Sequence, residues 1–189
     1  PNEAKTSAHI PQQEPRLLEI GCGTNPISRR LPDAKWAKNC IGLDSSAVVL
    51  QHAQQFPLWQ RLLQAKAEQL PFPDQTFDLI FASWVLSYLR PRSLFQCLQE
   101  CKRTLASGGS IWAIENAEAG ADGMPMDGNI PALLDCGFEM VQEIQTELRF
   151  PNAQTARSIT RYLMGVDAPK PDARGRIPHR VSLLQLCIE

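Results

Sequence analysis

Short apolar runs alternate with amphipathic stretches along most of the chain. Leu17, Leu18 and Ile20 stop at Gly21-Cys22-Gly23, and Cys40 to Leu43 stops at Asp44. Apolar runs of four to eight residues, bounded by glycine or polar residues, read as buried strands. They predict strands over residues 16–20, 40–44, 61–65, 77–82 and 111–115. Between them, Val48, Val49, Leu50 and Ala53 predict a helix over 46–55, and Leu94, Leu98, Cys101 and Leu105 recur at helical spacing over 91–105. Pro26 opens a helix over 26–31. A shorter helix over 130–136 stops at Gly137. Strands alternating with helices give a parallel sheet covered on both faces. Residues 138–148 and 181–188 read as a final hairpin, which makes one strand antiparallel.

The first strand carries the chemistry. Strand, glycine turn, helix, strand and then an acid 21 residues after Gly23 is the layout of a nucleoside-binding half, with Asp44 placed for ribose hydroxyls. A dinucleotide fingerprint needs a third glycine where Pro26 stands. Asn25 and Pro26 suit a helix cap and first turn, and so occupy donors a pyrophosphate would use. Glu19 adds a negative charge that repels phosphate and suits an ammonium group. The expected ligand is an adenosine with an amino-acid end.

These residues resemble the class I S-adenosylmethionine-dependent methyltransferases over roughly residues 16–116. The resemblance rests on Glu19-Ile20-Gly21-Cys22-Gly23-Thr24, Gly42-Leu43-Asp44, Ala67-Glu68-Gln69-Leu70-Pro71-Phe72-Pro73-Asp74, Thr76-Phe77-Asp78-Leu79-Ile80-Phe81 and Leu105-Ala106-Ser107-Gly108-Gly109. The Leu-Pro-Phe-x-Asp block points to the small-molecule, broad-range branch. The resemblance implies a single Rossmann-like α/β domain over 16–189, with a seven-stranded, mostly parallel sheet. It also implies S-adenosyl-L-methionine as cofactor and S-adenosyl-L-homocysteine as product. The implied cofactor-binding residues are Glu19, Gly21, Cys22, Gly23, Asp44, Ser45, Ala67, Glu68 and Ser83. Asp44 would take the ribose, Ala67 and Glu68 the adenine, and Ser83 the methionine portion. Lys66 departs from the pattern, because an ammonium cannot accept the adenine amino group. Family members often place helices before the first strand. Here residues 1–15 read as a disordered arm or a truncated cap.

Composition narrows the setting. The chain has 189 residues, 43% hydrophobic residues and a net charge of −1, which suits one domain with its own core. No run approaches the length of a membrane span, and no leader is expected before the fold. The six cysteines form no C-x-x-C pair. They read as buried thiols of a reducing, cytoplasmic protein, with no metal site.

Residues 149–180 hold seven basic residues and two acids, a formal charge of +5. This basic hairpin reads either as a solvated flap or as a surface for an acidic or phosphate-bearing acceptor. A helix over 156–163 fits inside it. The expected acceptor is a small molecule offering an O- or N-nucleophile. A protein amine or RNA docked through the basic hairpin is the alternative, and a non-catalytic scaffold the third reading. The catalytic residue is open. Tyr88, His179 and Asn116 are the candidates, with Glu115 and Asn116 expected to point into the pocket. His179 also reads as a surface histidine, Tyr88 as a packing residue, and Trp84 as a packing or stacking residue. The loop over 116–129 is expected to line the acceptor pocket.

Overall fold

The computed structural model describes residues 15–24, 39–55, 61–117, 129–164 and 170–188. The expected N-terminal arm, the helix over 26–31 and most of the loop over 116–129 lie outside the described residues.

Seven strands form one sheet in the order β3-β2-β1-β4-β5-β7-β6. They are β1 (Leu17–Ile20), β2 (Cys40–Asp44), β3 (Arg61–Gln64), β4 (Phe77–Ser83), β5 (Leu105–Asn116), β6 (Glu139–Arg149) and β7 (Arg176–Cys187). Strands β1 to β5 pair in parallel, and β7 runs antiparallel to both β5 and β6. The mostly parallel sheet with one reversed strand is therefore observed. All four residues of β1 are buried, as a central parallel strand covered on both faces requires.

Helix α1 (Ala47–Ala53) starts where Ser46 Oγ accepts the Val49 N–H at 3.3 Å. Helix α2 (Pro91–Thr104) has Pro91 in its first turn and buries Leu94, Cys97, Leu98 and Cys101 along one stripe. Helices α3 (Ile130–Asp135) and α4 (Ala153–Met164) follow. The core joins Leu18 and Ile20 of β1 to Phe77, Ile80 and Ala82 of β4, and to Leu94, Leu98 and Cys101 of α2.

Two strands start well before the sequence reading places them. Strand β5 starts at Leu105 rather than after the glycine pair. Leu105 pairs with Phe77 and Ser110 with Leu79, so the residues between bulge out of the ladder. Gly108 supplies a φ of +74° for that bulge. Strand β7 starts at Arg176 rather than at 181. Pro178 interrupts the strand pattern there, since proline cannot donate to a ladder. Among the described residues, 176–179 pair only with β6, and the β5 side is first met at Arg180, whose carbonyl accepts the Ala117 N–H, so an edge position tolerates Pro178.

The strand order reverses between β1 and β4. Such a reversal opens a crevice at the carboxyl ends of the strands.

Candidate active site

A cavity of about 410 Å³ lies at that crevice. This is within the size range of small-ligand sites, roughly 300–1,000 Å³. Its floor is the end of β1 (Ile20, Gly21) and of β2 (Leu43, Asp44, Ser45). One side is Ala65, Lys66, Ala67 and Glu68, and the other is Trp84, Val85, Tyr88 and Leu89.

The glycine turn closes on Asp44. Asp44 Oδ2 accepts the Gly23 N–H at 3.1 Å and Oδ1 accepts the Ser46 N–H at 2.9 Å. A carboxylate has about four lone-pair sites, so both oxygens keep capacity for the hydroxyls of a ligand. Gly21 has a φ of +62°, and a Cβ there would lie 2.1 Å from Val85 Cγ2. The turn after β1 thus needs glycine both for its backbone and for its close approach to the segment after β4.

That segment is held from the end of β5. Trp84 has a φ of +52°, a left-handed backbone unusual for a bulky residue. Its N–H donates to Ile114 O at 2.8 Å. Its indole Nε1–H donates to Asn116 Oδ1, also at 2.8 Å. Glu115 Oε1 accepts the backbone N–H groups of Val85, Leu86 and Ser87 at 3.1, 2.8 and 3.3 Å, and Oε2 accepts the Ser87 hydroxyl at 2.7 Å. Glu115 is fully buried. Burial raises its pKa above the usual carboxylate value, and the hydrogen bonds from Ser87, Leu86 and Val85 only partly offset this.

A family model described as a methyltransferase domain matches residues 18–113, just over half of the chain. The chain belongs to this family. The domain is a class I S-adenosylmethionine-dependent methyltransferase domain. It is 29% identical over 99 residues to the malonyl-[acyl-carrier protein] O-methyltransferase of Legionella pneumophila, a match covering 51% of the chain and 34% of that protein. To the protein of the same name from Serratia marcescens it is 28% identical over 177 residues, covering 86% of the chain and 66% of that protein. The chain thus spans about a third of the Legionella relative. The solved structure of the YcgJ protein from Bacillus subtilis superposes with a TM-score of 0.62 at 17% identity, covering 92% of both chains.

The methyltransferase domain gathers five of the nine expected cofactor residues around the cavity: Gly21, Asp44, Ser45, Ala67 and Glu68. Gly23 lies outside its lining and acts through its N–H on Asp44. Ser83, half-buried at the end of β4, is not part of the lining. Glu19 is buried within β1. It alternates to the face opposite Leu18 and Ile20 and is not among the described residues that line the cavity. Cys22 is buried too. Desolvation first, then the charges of Glu19 and Asp44, push its thiol up to about 12. Burial and Glu19 do the same to Cys40. Neither thiol is a nucleophile near neutral pH.

Of the catalytic candidates, Tyr88 lines the cavity and is exposed. His179 is not on the surface: it is 6% exposed, and its Nε2 lies 2.9 Å from Asn116 Oδ1. Asn116 is 4% exposed and lies behind Trp84 rather than in the cavity. Glu115, expected to point into the pocket, is instead turned under the segment after β4.

Sequence reasoning missed Glu100 and Arg103 of α2. Glu100 Oε2 accepts the Leu70 N–H at 2.8 Å. Arg103 donates to Leu70 O, Phe72 O, Asp74 Oδ1 and Glu100. The Leu-Pro-Phe-x-Asp block is therefore a loop fastened to α2, which sets the position of Ala67 and Glu68 at the cavity. The available signal was an acid and a base three apart on the polar face of α2.

Within the basic hairpin, Arg149 and Arg176 pair with Glu147, and Arg180 with Glu143, both acids on β6. The acids of β6 thus answer part of the charge. Arg157 and Arg161 stand exposed, one turn apart on α4.

Proposed function

We propose that this domain transfers the methyl group of S-adenosylmethionine to an O- or N-nucleophile of a small-molecule acceptor. The observation that carries the reading is the cavity at the carboxyl ends of β1, β2 and β4, floored by Gly21 and Asp44. Its residues suit the cofactor. Asp44 offers unspent acceptor capacity to ribose hydroxyls, and Leu43, Ala65 and Ala67 form an apolar slot for adenine. Bound cofactor supplies an electrophilic methyl group. The protein has to hold the nucleophile in line and exclude water, effects worth on the order of 7–11 kcal/mol.

No base beyond the acceptor itself is required if the nucleophile is a carboxylate, already ionised at neutral pH. A carboxylate acceptor would match the named activity of the malonyl-[acyl-carrier protein] relatives. Tyr88, exposed on the cavity wall, is the side chain best placed to meet an acceptor.

Arg157 and Arg161 on α4 favour a second reading, in which the acceptor is a protein or RNA. Substituting both by Glu leaves a small-molecule reaction intact and abolishes activity on an acidic macromolecule. Among the described residues no helix is long and apolar enough to cross a membrane. The four buried free thiols support a reducing, cytoplasmic setting.

Calorimetry with S-adenosylmethionine and S-adenosylhomocysteine tests the reading, on wild type and Asp44→Ala. Micromolar binding, weakened at least about tenfold by the substitution, is expected. No binding of either ligand to the wild type would leave the scaffold reading in its place.

A further inference from the structure

Three side chains from three strand ends meet at one oxygen. Trp84 follows β4, Asn116 ends β5 and His179 lies on β7 where it outruns β5. An indole N–H can only donate, so the Asn116 atom facing it is the carbonyl oxygen. The same oxygen lies 2.9 Å from His179 Nε2. That nitrogen must therefore carry a proton and donate as well. Asn116 Oδ1 thus takes two N–H groups, in a setting where Asn116 and His179 are 4% and 6% exposed.

Trp84 itself is different. It is 45% exposed and lines the cavity, although its backbone is left-handed and its indole nitrogen is spent. A half-exposed aromatic fixed at both its backbone and its ring edge presents only its π surface. Tyr88, 57% exposed, lines the same wall.

We propose that Asn116 is a positioning residue: it holds the Trp84 ring across the cavity, with His179 behind it, as a wall that packs against the bound nucleoside ligand. The part of a ligand meeting this wall is apolar, aromatic or cationic, because the indole has no donor left to offer. His179 acts through Asn116 and not as a base on the acceptor. The proposal rests on the cavity being the cofactor site.

The test uses the 189-residue chain as wild type, N116D, N116L and H179L, each made with and without W84F so that the Trp84 emission is obtained by difference. Asp keeps the accepting oxygen, whereas Leu keeps only the size. Acrylamide quenching of the Trp84 emission is expected to rise about twofold in N116L and to stay at the wild-type level in N116D. Affinity for S-adenosylhomocysteine is expected to fall about five- to tenfold in N116L and to be kept within about twofold in N116D, as loss of one buried hydrogen bond implies. H179L should fall between the two, and it replaces N116L if that variant does not fold. Equal losses in N116D and N116L, or no change of Trp84 quenching in any variant, would overturn the proposal. If wild type does not bind S-adenosylhomocysteine, the cofactor reading fails, and the proposed wall fails with it. Quenching that still differed between N116D and N116L would then report an Asn116–Trp84 contact alone.

Discussion

Gly21 and Val85 face each other with no room for a β-carbon between them: one built on Gly21 would lie 2.1 Å from Val85 Cγ2. The turn that follows β1 and the segment that follows β4 are packed as one piece on the cavity floor.

Gly21→Ala should therefore cost about 1–3 kcal/mol, from the left-handed backbone together with the clash. Adding Val85→Ala to it should recover part of that loss, because the clash is with a side chain. Urea unfolding of the single and double variants measures both. Recovery of nothing would mean that the backbone alone requires the glycine.

Glu115 gives a pH dependence with a definite sign. Its pKa is raised in the folded chain, mainly by burial. The native state thus binds that proton more tightly than the unfolded state. The contribution to stability is fully present below the ordinary value of 4.5 and is lost as pH rises through the raised value. Relative to Glu115→Gln, wild type should lose ground as pH rises above 4.5 and level off once the raised value is passed. Urea midpoints of the two proteins across that range decide it, and parallel curves would refute it. Glu115→Ala, which strips three backbone N–H groups of their acceptor, should cost about 1–3 kcal/mol at any pH in the range.

Arg103 is expected to matter for the cofactor without touching it. Arg103→Met keeps the length of the side chain and removes its bonds to Leu70 O, Phe72 O, Asp74 and Glu100. A loss of stability of about 1–3 kcal/mol is expected. Affinity for S-adenosylhomocysteine should weaken as Ala67 and Glu68 lose their support, and unchanged affinity in calorimetry would show that the loop holds its place unaided.

Periodicity and glycine spacing were enough to read the parallel sheet, its one reversed strand and the placing of Gly21 and Asp44 at neighbouring strand ends. Those features follow from local pattern: apolar runs, turns and one acid at the right distance. The roles of Glu115, Asn116 and His179 were not legible. The partners of Glu115 lie 28 to 30 residues away, and His179 is 63 residues from Asn116. Nothing local marks an acid at a strand end as a cap for a distant turn. The orientation of Glu19 was not legible for a related reason. Its sequence neighbours place it beside the glycine turn, but strand alternation sends its side chain to the other face of the sheet. The start of β7 at Arg176 was not legible, and Pro178 interrupts the strand pattern there. Only the ladder shows that, among the described residues, it pairs with a single strand.

Pro178 also bears on how copies of the chain behave toward one another. Where β7 outruns β5, no strand among the described residues pairs with its far side, and unprotected sheet edges template foreign strands. A residue with no N–H removes one donor from that stretch, and the charged Arg176 and Arg180 flank it. Replacing it with a β-branched residue would lengthen the usable edge, so the kink in the sequence pattern doubles as a guard against aggregation.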